Sequence, residues 1–182
     1  MSIDTAAPTL TAGTWTIDAS HSTVGFTARH LMSKVRGTFT EFSGEFVTTE
    51  NPLESAISVT IEAASISTNN EQRDSHLRTA DFFDPKQGGV LTFVSTGVAE
   101  AGDGYVVTGD LTINGVTRSV DLDTEFFGLE VDGYGRTVLG AEASTTIDRH
   151  DYNVNWNMPL DGDRLLVGPK IQIALSVKAV QA

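Results

Sequence analysis

The chain is 182 residues long, with 40% hydrophobic and 20% charged side chains and no cysteine. That is one domain's length with enough apolar content for a core, and it excludes wholesale disorder, disulfides, thiolate metal sites and cysteine nucleophiles. Twelve Lys and Arg against 24 Asp and Glu give a formal charge of −12, which argues against nucleic acid as the main partner and against loose adsorption to an anionic membrane.

Residues 1–12 are small and polar and read as a flexible leader ahead of one domain spanning 13–182. The first cation is Arg29, so the N-terminus lacks the basic and apolar regions of a secretory signal. No apolar run approaches the roughly 18 residues that span a bilayer. The expected location is therefore cytoplasmic.

From Thr14 onward the organising signal is period-two alternation. Between Thr23 and Leu31, Val24, Phe26, Ala28 and His30 share one face and Gly25, Thr27 and Arg29 the other. Ile57, Val59 and Ile61 alternate with Ser58, Thr60 and Glu62. The same pattern returns at Tyr105–Ile113, Val120–Phe126 and Ile171–Val177. Such alternation marks strands with one buried and one wet face, and it favours antiparallel pairing. Turn signals at Asn51-Pro52, Gly102-Asp103-Gly104, Asn114-Gly115, Asp132-Gly133 and Asp161-Gly162 punctuate the strands. Asn114-Gly115 is the strongest of them as a hairpin. About eight to ten short strands with almost no helix predict an all-β barrel or sandwich.

Residues 66–89 break the alternation. Asn69 or Asn70 is placed to cap a short helix over Glu71 to Thr79, and Asp84-Pro85 and Gly88-Gly89 close the segment. So long an insertion between strands is either a lid over a binding site or a plug that completes the core.

The sequence carries few signs of catalysis. There is no G-x-S-x-G elbow, and Asp18, Ser20, His21 and Ser22 are neighbours in sequence without implying a triad. None of His21, His30, His76 and His150 belongs to an H-x-H or H-E-x-x-H pair. Both phosphate-binding glycine motifs are absent. Asp121, Asp123 and Glu125 share a polar strand face and read as solvated. What remains is shape: an eight-stranded barrel is wide enough to be filled by side chains or to hold one ligand. Large and small residues alternate among the inward candidates, with Phe26, Phe39, Phe42 and Phe93 against Ala28, Ala141 and Ala143. Five cations fall in two windows, Arg29, Lys34 and Arg36, then Arg73 and Arg78. They are either a local neutraliser for an anionic head group or ordinary surface cations.

An ordered set of segments resembles the YceI-like family of polyisoprenoid-binding, lipocalin-like proteins. It comprises W-T-I-D-A-S-H-S-T-V-G-F-T-A-R-H-L from Trp15 to Leu31, V-R-G-T-F at Val35 to Phe39 and F-S-G-E-F at Phe42 to Phe46. The stretch Ser65 to Asp84, G-D-L-T-I-N-G-V-T-R-S-V from Gly109 to Val120, and D-R-H-D-Y-N at Asp148 to Asn153 complete it. The resemblance implies an extended eight-stranded antiparallel barrel with a short helical lid near residues 69–80. It implies an elongated apolar pore for a long-chain isoprenoid or related amphiphile, of the prenyl diphosphate, prenylated quinone or fatty amide type. No enzyme activity and no other cofactor are implied, and a homodimer is. On this chain the tail pore falls to Phe26, Ala28, Phe39, Phe42, Leu77, Phe82, Phe83, Phe93 and Trp156. The head-group mouth falls to His30, Lys34, Asn70, Arg73 and His76. The alternatives are a lipid-modifying or hydrolytic enzyme using His21, His30 or His76, and a ligand-free barrel that binds a partner protein.

Overall fold

The computed structural model describes residues 10–160 and 165–182. Residues 1–9 of the expected leader and the expected Asp161-Gly162 turn lie outside the described residues. Leu10, the first described residue of that leader, is buried against Trp15, Leu139 and Ala179.

Among the described residues eleven strands form one sheet. They are β1 (Gly13–Ile17), β2 (Thr23–His30), β3 (Ser33–Phe39), β4 (Phe42–Thr48), β5 (Ala56–Glu62) and β6 (Ile66–Ser67). After the only α-helix among the described residues, α1 (Glu71–Leu77), come β7 (Val90–Ala101), β8 (Gly104–Ile113), β9 (Val116–Val131), β10 (Thr137–Asp148) and β11 (Val167–Gln181). Three wall strands are interrupted. β1 runs into β2 through a single turn at Ala19–His21, and both pair with β11. β3 and β4 meet at a corner and pair with β2 and β1, and β6 extends the line of β5 by pairing with β3. The eleven segments thus make a closed barrel of eight antiparallel wall strands. Closure leaves no wall strand as a free edge, which removes the hazard of edge-to-edge pairing.

Length and alternation explain the shape. β7, β9, β10 and β11 run for 12, 16, 12 and 15 residues, well beyond the usual length of about five or six. The barrel is accordingly elongated. Each alternating run identified in the sequence faces inward with its apolar set, including Ile57, Val59, Ile61, Val107, Leu111, Leu122, Ile173 and Leu175. Asp121, Asp123 and Glu125 are exposed on the outer face of β9. Asn114 and Gly115 adopt φ of 52° and 73°, the left-handed pair that a tight two-residue hairpin requires.

The two ends of the barrel differ. At one end the fully buried Trp15 is a stopper: its indole N–H donates to Thr48 Oγ1 at 2.8 Å, and that hydroxyl donates to Thr11 O at 2.7 Å. At the other end α1 lies over the opening, flanked by the β2–β3 turn and the segment after β10.

Candidate functional site

The helix over the opening is held by side chains rather than by a strand ladder. Asn70, which caps α1 through Oδ1, accepts from Arg73 N at 2.9 Å. Asp74, only 4% exposed, accepts from Thr68 N at 2.9 Å and from the Thr68 hydroxyl. Arg73 reaches back over the same threonine, with Nε on Thr68 Oγ1 at 2.7 Å and Nη2 on Thr68 O at 2.9 Å. Arg78 donates to Ala64 O and Ile66 O. The trailing end of the segment is fixed by Asn114: Oδ1 accepts from Asp84 N at 3.0 Å, and Nδ2 donates to Phe82 O. These bonds make α1 a fixed roof.

Beneath it lies a chamber of about 610 Å³. Volumes of this size belong to small-molecule sites and exceed packing defects. A second chamber of about 220 Å³ continues toward the Trp15 end. Phe26, Phe39, Leu91, Ile113 and Ile173 line both, so this belt forms a waist between them. The Phe26 and Phe39 rings are tilted against each other at 5.7 Å. Gly37, opposite Phe26 on β3, has no room for a side chain, because a Cβ there would strike the Phe26 ring.

Phe26, Ala28, Phe39, Leu77, Phe82, Phe83 and Trp156 line the outer chamber. Phe42 and Phe93 line the inner one. The structure therefore brings the nine residues assigned to the pore around two adjoining apolar chambers. His76 stacks edge-on against Phe82 at 5.1 Å and against Trp156 at 4.7 Å, and its Nε2 lies 2.8 Å from Asp81 Oδ2. That cluster joins the roof to the segment after β10.

The mouth residues divide. His30, Asn70, Arg73 and His76 line the outer chamber. Lys34 does not. It sits one residue off the inward set Val35, Gly37 and Phe39, so strand parity turns it to solvent beside Arg29. Arg73 and Asn70 face the chamber with much of their hydrogen-bonding capacity already spent on Thr68 and the helix cap.

Sequence reasoning missed Arg149. It follows β10, is 3% exposed, and lines the outer chamber. Its guanidinium donates to four backbone carbonyls: Gly168 at 2.9 Å, Val154 at 2.7 Å, Trp156 at 2.9 Å and Val167 at 3.2 Å. Burial pushes its pKa below the ordinary arginine value, partly offset by the neighbouring Asp148 carboxylate. Tyr152, 2% exposed, also lies in the wall, and its hydroxyl has no partner among the described residues. Burial raises its pKa to about 12. Both residues lie in the D-R-H-D-Y-N segment, which lacks any period that would turn one side chain inward.

The Asp18, Ser20 and His21 group is at the stopper end, away from the chambers' mouth. Ser20 Oγ donates to Asp18 Oδ1 at 2.6 Å, and His21 Nδ1 lies 2.8 Å from Asp18 Oδ2 and 3.1 Å from Ser20 Oγ. A triad needs the acid and the nucleophile on opposite ring nitrogens, whereas here both meet Nδ1. These bonds hold the Asp18 carboxyl down at about 2. Among the described residues no group of three His, Asp or Glu is arranged to hold a metal ion, and no helix is long and apolar enough to cross a membrane.

The comparisons with known proteins agree with this architecture. A UPF0312 protein of Photorhabdus laumondii is 40% identical over 170 residues, covering 91% of this chain and 84% of the relative. Protein YceI of Escherichia coli is 37% identical over 169 residues, covering 90% and 84%. Among solved structures, Burkholderia cenocepacia BcnA superposes with a TM-score of 0.75 at 24% identity, covering 89% of this chain and 98% of that one. A polyisoprenoid binding domain from Saccharophagus degradans superposes with a TM-score of 0.69 at 14% identity, covering 94% and 99%. These two likenesses bear on the fold. The YceI-like domain matches residues 15–179, nearly the whole barrel, and the chain belongs to the YceI-like family.

Proposed function

We propose that this protein is a non-enzymatic carrier or sequestering protein for a long-chain isoprenoid with an uncharged polar head, of the prenylated quinone type. The observation that carries the reading is the pair of apolar chambers joined at the Phe26–Phe39 waist and closed at the far end by Trp15. A chain entering from the roofed end meets aromatic and aliphatic walls along the whole path. Each buried CH₂ contributes roughly 0.8 kcal/mol, so a tail of several isoprene units overcomes the cost of ordering it. The solved polyisoprenoid binding domain of the same fold supports this ligand class.

The choice of head group rests on the cations. Arg149 is saturated by carbonyls, Arg73 is engaged with Thr68, and Lys34 faces solvent, which leaves Arg29 as the one cation that borders the outer chamber without a side-chain partner among the described residues. A diphosphate calls for several convergent cationic donors, and a mouth with a single free one favours a neutral carbonyl or phenol instead. The test is a fluorescence titration of delipidated protein, reporting on Trp156, with a prenylated quinone and with a prenyl diphosphate of equal chain length. The quinone is expected to bind more tightly, and Phe82→Asp is expected to abolish binding while leaving the far-ultraviolet circular dichroism of the barrel unchanged. Tighter binding of the diphosphate contradicts the head-group assignment, and undiminished binding by Phe82→Asp contradicts the pore.

A further inference from the structure

The hairpin loop between β2 and β3 consists of Leu31 and Met32, where a soluble protein ordinarily places Asn-Gly or another polar pair. Met32 is 97% exposed and Leu31 is 50% exposed. Leu31 also holds φ at 56°, a left-handed conformation unfavourable for a leucine. The loop is joined to the segments at Met158–Pro159 and Leu165–Leu166. Leu31 N donates to Leu166 O at 2.9 Å, Leu166 N donates to Met158 O at 3.0 Å, and Pro159 bridges Leu165. Met158 and Leu165 are 50% and 56% exposed. These side chains form one rim, immediately outside His30, Leu166 and Val167 in the wall of the outer chamber.

The rim carries local positive charge in an acidic protein. Arg29 lies opposite Lys34 in the register and Arg36 opposite Thr27; all three are exposed, and Arg29 also borders the mouth of the outer chamber. The sequence has no acidic residue between Ala19 and Thr40. Among the described residues none of the three cations is in an ion pair, whereas the acids of the roof are occupied: Glu71 by Arg78, Asp81 by His76 and Asp74 by Thr68. The remaining residues carry a formal charge of −15, the overall −12 less the three rim cations, and beyond about 8–10 Å their field is screened at physiological salt.

We propose that this rim docks on an anionic phospholipid bilayer, with Leu31 and Met32 entering the interface and Arg29, Lys34 and Arg36 meeting headgroup phosphates. The chamber then opens directly onto the phase that holds its cargo. The acidic remainder orients the molecule, since any other face is repelled. This inference rests on the lipid-carrier reading for its purpose but is measured separately from it.

The test is cosedimentation of delipidated protein with vesicles of phosphatidylcholine alone and of phosphatidylcholine with phosphatidylglycerol in equal parts. Binding is expected to the mixed vesicles, and to fall with added salt. Lys34→Glu is expected to weaken it by about fivefold or more, since one cation near an anionic surface is worth about that factor. Met32→Asp is expected to weaken it comparably. Tyr134→Asp, at the exposed β9–β10 tip of the opposite end, is expected to leave it unchanged. Failure to sediment with mixed vesicles, or equal loss in Tyr134→Asp, overturns the docking surface. Cargo retained by the same variants, read by mass, reports on the carrier reading alone.

Discussion

The side-chain amide of Asn114, at the tip of the β8–β9 hairpin, donates to the backbone carbonyl of Phe82 and accepts from the N–H of Asp84. A turn residue thus fastens the trailing end of the roof to the barrel rim. Asn114→Gly keeps the left-handed turn but removes the clamp. It is expected to cost about 1–2 kcal/mol and to speed amide exchange at Asp84 in particular. Unchanged exchange at Asp84 would show that the roof is held by other means.

Arg149 is the post around which the irregular segment after β10 is wound, because its donors satisfy the carbonyls of Val154, Trp156, Val167 and Gly168. Arg149→Met leaves those carbonyls without their partner in a region that excludes water. A loss of about 3 kcal/mol or more is expected, together with displacement of Trp156 and a red shift of its fluorescence. Arg149→Lys is not expected to rescue it, since a single ammonium cannot reproduce the planar fork. Full stability in the lysine variant would argue that charge alone matters.

The Tyr152 hydroxyl is buried and unpaired among the described residues. Tyr152→Phe keeps the ring and removes the desolvated group, so a gain of about 1 kcal/mol is expected, or about 2–4 °C in Tm. The same residue makes stability depend on alkaline pH. Its folded pKa is about 12 against 10.0, so between those values the unfolded chain releases a proton that the folded one keeps. Stability conferred by the neutral phenol is complete below pH 10 and falls as pH rises toward 12. Denaturant midpoints across that window are expected to fall less steeply in Tyr152→Phe than in the parent.

Gly37 underlies the Phe26 ring from the neighbouring strand β3. Gly37→Ala forces the tip of that ring away from β3, and the open direction is the cavity between the chambers. A modest destabilisation of about 1–2 kcal/mol is expected, with a larger effect on ligands whose tails must pass the waist than on short ones. Equal binding of short and long isoprenoids by the variant would show that the waist is not on the path.

Much of this was legible in the sequence because it obeys a period. Val24, Phe26 and Ala28 repeat every second residue and face inward. Asn114-Gly115 is read locally as a hairpin. The Asn70 cap followed by a short helix is likewise a local signal, although the helix ends at Leu77 instead of reaching Thr79. Parity also accounts for Lys34: the family resemblance assigns it to the mouth, while alternation along β3 turns it outward. Arg149 and Tyr152 escaped for the opposite reason. They lie beyond the end of β10, where no period applies, and their burial depends on a segment that returns to the barrel only in three dimensions. Ala28, Phe82 and Trp156 meet around one chamber through closure of the sheet, which no local pattern encodes.

The central claim is that the two chambers hold an isoprenoid chain. Native mass spectrometry of the freshly purified protein, followed by organic extraction, tests it most directly. The account predicts a stoichiometric adduct that releases a prenylated, uncharged-headed lipid, lost in Phe82→Asp. A clean apo mass for protein purified gently from cells rich in isoprenoids, with no adduct after incubation with a prenylated quinone, would contradict it.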